Sequence, residues 1–143
     1  MRSDADAYVQ SVYDELNRDG FGDVLPRITV IARDHDAALT WQGAWVDHRR
    51  KRIEVAAFLT EPGRRRDLEQ VLIHEATHLR GAFDHGDYYQ AELRRVAALA
   101  RWPWVAAWVE REILRVQKLK ALDDQRAYEL QMRIAPWVIK EEA

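Results

Sequence analysis

Apolar side chains recur at helical spacing early in the chain and at alternating spacing soon afterwards. Val9, Val12, Tyr13 and Leu16 stand at i, i+3, i+4 and i+7, which is the buried face of an amphipathic helix. Ser3 with Asp6 three residues on has the form of a capping box in which Asp replaces the usual Glu or Gln, and Gly20 is the expected stop. Three runs then read as strands. "RITVIAR" (27–33) alternates Ile28 and Val30 against Thr29 and Ile31. "LTWQGAWV" (39–46) places Leu39, Trp41, Gly43 and Trp45 on one face, and "RIEVAAFLT" (52–60) places Ile53, Val55, Ala57 and Leu59 together. The polar "DHRRK" between the last two predicts a hairpin turn, so those strands should pair antiparallel.

Beyond the "EPG" break at 61–63 the period returns to that of a helix. One should start within Arg64–Asp67 and reach about Arg80, with Gly81 as its C-cap and Leu68, Val71, Leu72 and Leu79 anchoring it. Asp87 can cap a further helix through Ala100. Pro103 suits the first turn of another through about Leu119, with Trp104, Val105, Trp108, Val109 and Leu114 as its apolar stripe. "DDQRAYELQMRI" predicts a last helix before Pro136. Helix, strands, then helices make the class α+β.

The bulk properties narrow this picture only a little. The 143 residues suit one domain spanning 1–143, without internal repeats or a Pro/Gly/Ser-rich linker. At 48% hydrophobic with six tryptophans the chain can bury a core. The absence of cysteine excludes disulfides and thiolate metal sites. "MRSDADAYVQ" has no apolar signal region and no run approaches eighteen apolar residues, so a cytoplasmic protein with no membrane partner is expected. The net charge of −2 gives no global pull toward nucleic acid, but residues 49–120 carry fifteen basic and ten acidic side chains. The surplus comes from Arg49–Arg52 and Arg64–Arg66. These runs read first as a solvated turn and a helix entry, and second as a phosphate-binding surface for nucleic acid.

The candidate chemistry lies in "HEATHLRGAFDHGDYYQAE" (74–92). His74 and His78 are four apart and share one helix face, so both imidazoles can converge on one zinc ion. Glu75 sits beside that face, where it can take a proton from a water acidified by the metal. The result is the HExxH pattern. By chance it would arise in roughly one random chain in a hundred of this composition, so the context of a strand-following helix with a third nearby histidine carries weight. A third ligand should follow the turn at Gly81, and Asp84 and His85 stand side by side there. The metzincin pattern HExxHxxGxxH would select Asp84. Imidazole chemistry favours His85, with Asp84 orienting the loop.

"HEATH…DHGDYYQAEL" resembles the SprT-like zinc metallopeptidases, in which HExxH is followed by a histidine in an HGxxF-type segment. His85, Gly86, Asp87, Tyr88 and Tyr89 fit that segment. The resemblance implies zinc ligands His74, His78 and His85, Glu75 as general base, and hydrolysis of a peptide or protein substrate. A weaker similarity is to the bacterial rRNA-maturation zinc endoribonucleases with their HxxxHLxGxDH motif. His74, His78, Leu79, Gly81, Asp84 and His85 echo it with one residue inserted. That family implies single-strand RNA cleavage. It has no signature glutamate after the first histidine, so Glu75 favours the peptidase.

Three residues nearby are candidates for supporting roles. Tyr88 or Tyr89 can donate to an oxyanion, a contribution of about 3–4 kcal/mol, or pack a helix start. Glu92 suits an outer shell around the metal. His35 and His48 read as solvated loop residues. The expectation is a zincin-like α+β domain: a small mixed or antiparallel sheet, an HExxH helix and a helical C-terminal half. Its edge strand, 39–46 or 51–59, would hold an extended peptide. Alternatives are the endoribonuclease and a non-catalytic binding module.

Overall fold

The computed structural model describes residues 3–34, 43–81 and 84–120. His35, residues 39–42 of the second predicted strand and the predicted final helix lie outside these. Helix α1 spans Asp4–Gly20, β1 Thr29–Arg33, β2 Ala44–Asp47 and β3 Arg52–Ala56. A single 3₁₀ turn, Ala57–Thr60, leads to α2 (Arg65–Leu79), α3 (Asp87–Leu99) and α4 (Trp104–Lys120). The class is α+β, with three strands, four α-helices and a mainly helical C-terminal half among the described residues.

Local chemistry explains most boundaries. Ser3 Oγ accepts the Asp6 N–H (3.1 Å), closing the start of α1. Val9, Val12, Tyr13 and Leu16 are all buried, as their spacing predicts. Helix α2 ends at Leu79, and Gly81 follows with φ of 100°, a conformation that glycine adopts without the Cβ penalty. The N-cap of α3 is Gly86 rather than Asp87, which lies in the first turn. There its charge favours the positive end of the helix dipole.

The sheet order is β1-β3-β2. Parallel pairing joins β1 to β3, from Thr29 opposite Arg52 to Arg33 opposite Ala56. The hairpin is antiparallel as expected, with Ala44 opposite Val55 and Asp47 opposite Arg52. Because β3 is the central strand, the 51–59 segment is not an edge. The expected strand also ends early: past Ala56 the chain turns through the 3₁₀ turn, with Thr60 Oγ1 donating to Ala57 O (2.7 Å), although the apolar alternation continues through Leu59.

Side-chain alternation sends Val30, Ala44, Ile53 and Val55 to the buried face. On the opposite face the nearly buried Glu54 is held by Arg33 (2.6 Å) and Arg52 (3.1 Å). Helix α1 packs on β1, α2 on β2, and the two helices touch, so both cover the core face. Helices α3 and α4 pack against each other, and α3 contacts α2.

One predicted stripe needs correction. Val105, Trp108 and Val109 are buried, but Leu114 is 57% exposed. Six residues beyond Trp108, it has rotated about 120° from that face at 3.6 residues per turn. Glu112, Ile113, Arg115 and Val116 occupy the buried surface instead.

Candidate metal centre

Helix α2 carries His74, Glu75 and His78 between buried Leu68, Val71, Leu72 and Ile73 on one side and the start of α3 on the other. The chain leaves α2 at Gly81 and returns with His85. Three Nε2 atoms meet there: His74 to His78 is 3.3 Å, His78 to His85 3.2 Å and His85 to His74 3.3 Å. Tetrahedral donors at about 2.0–2.1 Å from a zinc ion stand roughly 3.3–3.4 Å apart. The histidine triangle therefore fits that coordination, with a fourth position left over. Three imidazoles also suit zinc better than the harder cations.

Asp84, the other candidate for third ligand, takes a different part. Its Oδ1 accepts the Gly86 N–H (2.9 Å), a two-residue turn that sets the backbone around His85. Gln90 Nε2 donates to the His85 carbonyl (3.2 Å), and Gln117 Nε2 on α4 donates to Gln90 Oε1 (3.2 Å). Among the described residues, the group able to hold a metal is His74, His78 and His85.

Behind His74 lies a buried polar cluster that the sequence reading did not single out. His74 Nδ1 is 2.7 Å from Glu112 Oε2, and the Tyr89 hydroxyl donates to the same oxygen at 2.7 Å while lying 2.8 Å from Nδ1. Arg115 donates through Nε to Oε1 (2.6 Å) and through Nη2 to Oε2 (3.1 Å). Three of these contacts converge on Oε2 and one on Oε1, so both carboxylate oxygens are engaged. Burial alone would raise the Glu112 carboxyl, but Arg115 and the His74 hydrogen bond hold it well below the usual range. Burial and the adjacent Glu112 push the Tyr89 phenol well up, so it remains a neutral donor. With an anion facing Nδ1, the His74 proton belongs there, and Nε2 presents its lone pair to the triangle.

The signal for this cluster was in the sequence as charges within an apolar stripe. Glu112 follows Trp108 by four residues, and Arg115 follows Glu112 by three.

Burial shifts two groups at the triangle. Burial, with His74 and His78 alongside, lowers His85 to about 3. Burial lifts the Glu75 carboxyl to about 7. A carboxyl in that range can both accept and return a proton near neutrality.

The remaining candidates are engaged elsewhere. Tyr88 OH donates to the Arg80 carbonyl (2.9 Å). The Tyr89 ring packs 4.8–5.4 Å from all three imidazoles, and its hydroxyl is bonded to Glu112. Glu92 pairs with Arg80 (3.3 Å) and Arg95 (2.6 Å), and Arg95 also donates to Phe21 O (3.1 Å), which ties α2, α3 and the end of α1 together.

Of the basic runs, Arg64 meets Asp67 (3.1 Å) and Arg65 meets Glu15 (2.8 Å). Arg66 lies 4.2 Å over the Trp104 ring. Arg50 lies 3.9 Å from Asp47, Arg52 pairs with Glu54, and Arg49 and Lys51 are exposed on the hairpin with His48.

The fold has a counterpart among solved structures. The crystal structure of the metallopeptidase zymogen jannalysin of Methanocaldococcus jannaschii matches with a TM-score of 0.53 at 17% identity, covering 78% of this chain and 96% of that one. The likeness is one of fold, and the α+β architecture is zincin-like. No family model and no curated protein matches the chain.

Proposed function

We infer that this protein is a zinc-dependent metallopeptidase in which His74, His78 and His85 hold the metal and Glu75 is the general base. The observation that carries this reading is the convergence of three Nε2 atoms at tetrahedral spacing on the helix that also bears Glu75. The structure that the fold matches is that of a metallopeptidase zymogen, which agrees with this reading. Bound zinc would supply a Lewis acid that polarises the scissile carbonyl and lowers the pKa of water toward about 7.

The chain's own residues perform the remaining work. Glu75 takes a proton from the attacking water as the new C–O bond forms. It then delivers that proton to the nitrogen as the C–N bond breaks. The histidines stay neutral as ligands, and Glu112 keeps the His74 proton on Nδ1.

An extended peptide suits the sheet edge. Among the described residues no strand pairs with the outer side of β2, and α2 packs directly on that strand. Main-chain hydrogen bonds along Ala44–Asp47 would hold the peptide beside the histidines.

The test is hydrolysis of an unstructured protein by the zinc-loaded chain and its Glu75→Gln variant. Turnover should fall by about 10²–10⁴-fold with zinc retained. Undiminished peptide turnover in Glu75→Gln, or zinc-dependent cleavage of single-stranded RNA that survives this substitution, would overturn the assignment.

A further inference from the structure

Glu112 on helix α4 lies 38 residues from His74 in sequence, yet two of the three histidines are tied to that helix. Glu112 holds the His74 ring through Nδ1 (2.7 Å). Gln117 reaches the His85 carbonyl through Gln90, in two steps of 3.2 Å. Neither connection uses an atom that faces the histidine triangle. Both bear on how the rings are aimed.

The Glu112 side would be costly to maintain for packing alone. Glu112, Tyr89 and Arg115 are all buried, and a buried carboxylate with a buried guanidinium is often no better for stability than apolar side chains of similar volume. Arg115 supplies the compensating charge and grips both carboxylate oxygens, and Oε2 also meets His74 and Tyr89. A carboxylate on the far nitrogen of a histidine ligand fixes its tautomer and ring orientation and raises its basicity.

We propose that Glu112, braced by Arg115 and Tyr89, is the positioning residue for His74, and that α4 docking and metal binding are thereby coupled. The proposal rests on the reading of the three histidines as zinc ligands. By reciprocity, whatever metal binding gains from a docked α4, the docking of α4 gains from the metal.

The experiment uses the full-length chain and zinc itself. Affinity is measured by competition with a chromophoric chelator, and amide hydrogen exchange across 104–118 is followed with and without zinc. Glu112→Gln should bind zinc about 10–100-fold more weakly. Glu112→Gln with Arg115→Gln leaves no unpaired buried guanidinium and should show the same loss while folded by circular dichroism. Glu110→Gln, exposed on the same helix, should bind as the wild type does. Zinc should slow exchange across α4 in the wild type and do so less in Glu112→Gln.

A purely structural role predicts a lower thermal midpoint with unchanged zinc affinity in the folded chain. Wild-type affinity in the double variant would therefore overturn the positioning role. Unchanged α4 exchange on adding zinc to the wild type would overturn the coupling, and that comparison needs no variant. Failure of the wild type to bind zinc is a separate result, which removes the ligand assignment itself.

Discussion

Gly81 shows how much one backbone conformation controls here. At φ of 100° a side chain is strained whatever space surrounds it. The residue lies between α2 and the return of His85. Gly81→Ala should lower stability in urea unfolding by roughly 1–2 kcal/mol and weaken zinc binding as well. Gly63, with φ of 86° and nothing within 4 Å of an added Cβ, precedes the other end of α2. Gly63→Ala should lose comparable stability but keep its zinc affinity. Equal affinities in the two variants would show that the Gly81 turn does not aim His85. At this scale the sequence was legible wherever a helical period sufficed. His74 and His78 face one way because they are four apart. The choice between Asp84 and His85 depends on a non-repetitive turn, so spacing left it open. Glu112 meets His74 only through tertiary packing.

The elements divide along the same line. Helix ends marked by Ser3, Gly20 and Gly81 and the antiparallel hairpin were readable from local signals. Sheet order was not, because the β1–β3 pairing joins segments about twenty residues apart with β2 between them. The outer side of β1 is closed by side chains of α1. Gln10 Oε1 accepts the Val30 N–H (2.9 Å) and Asp6 Oδ1 accepts the Ala32 N–H (2.8 Å). A strand edge is a template for pairing with another chain, and these contacts block it. Removing both acceptors in Asp6→Ala/Gln10→Ala should cost roughly 1–3 kcal/mol in urea unfolding, since the N–H groups lose their acceptors in a partly buried setting. Unaltered stability would mean that water replaces them without loss.

At the scale of the molecule, the histidine triangle is a product of three helices. Helix α2 supplies two imidazoles and Glu75. The turn into α3 supplies His85, α3 itself supplies Tyr89 and Gln90, and α4 supplies Glu112, Arg115 and Gln117. The sheet positions α2 and leaves β2 on the outside. Much of the central basic surplus is absorbed in binding these parts together, through Arg65 to α1 and Arg66 to the Trp104 ring of α4. No helix among the described residues is long and apolar enough to cross a membrane. Everything proposed for the triangle requires that it hold a metal. The direct measurement is metal content per chain after purification and zinc loading, for the wild type, His85→Ala and Asp84→Ala. The wild type should carry about one zinc, Asp84→Ala should retain it and His85→Ala should lose it. A wild-type chain that takes up no zinc, or one that keeps it without His85, would contradict the ligand assignment.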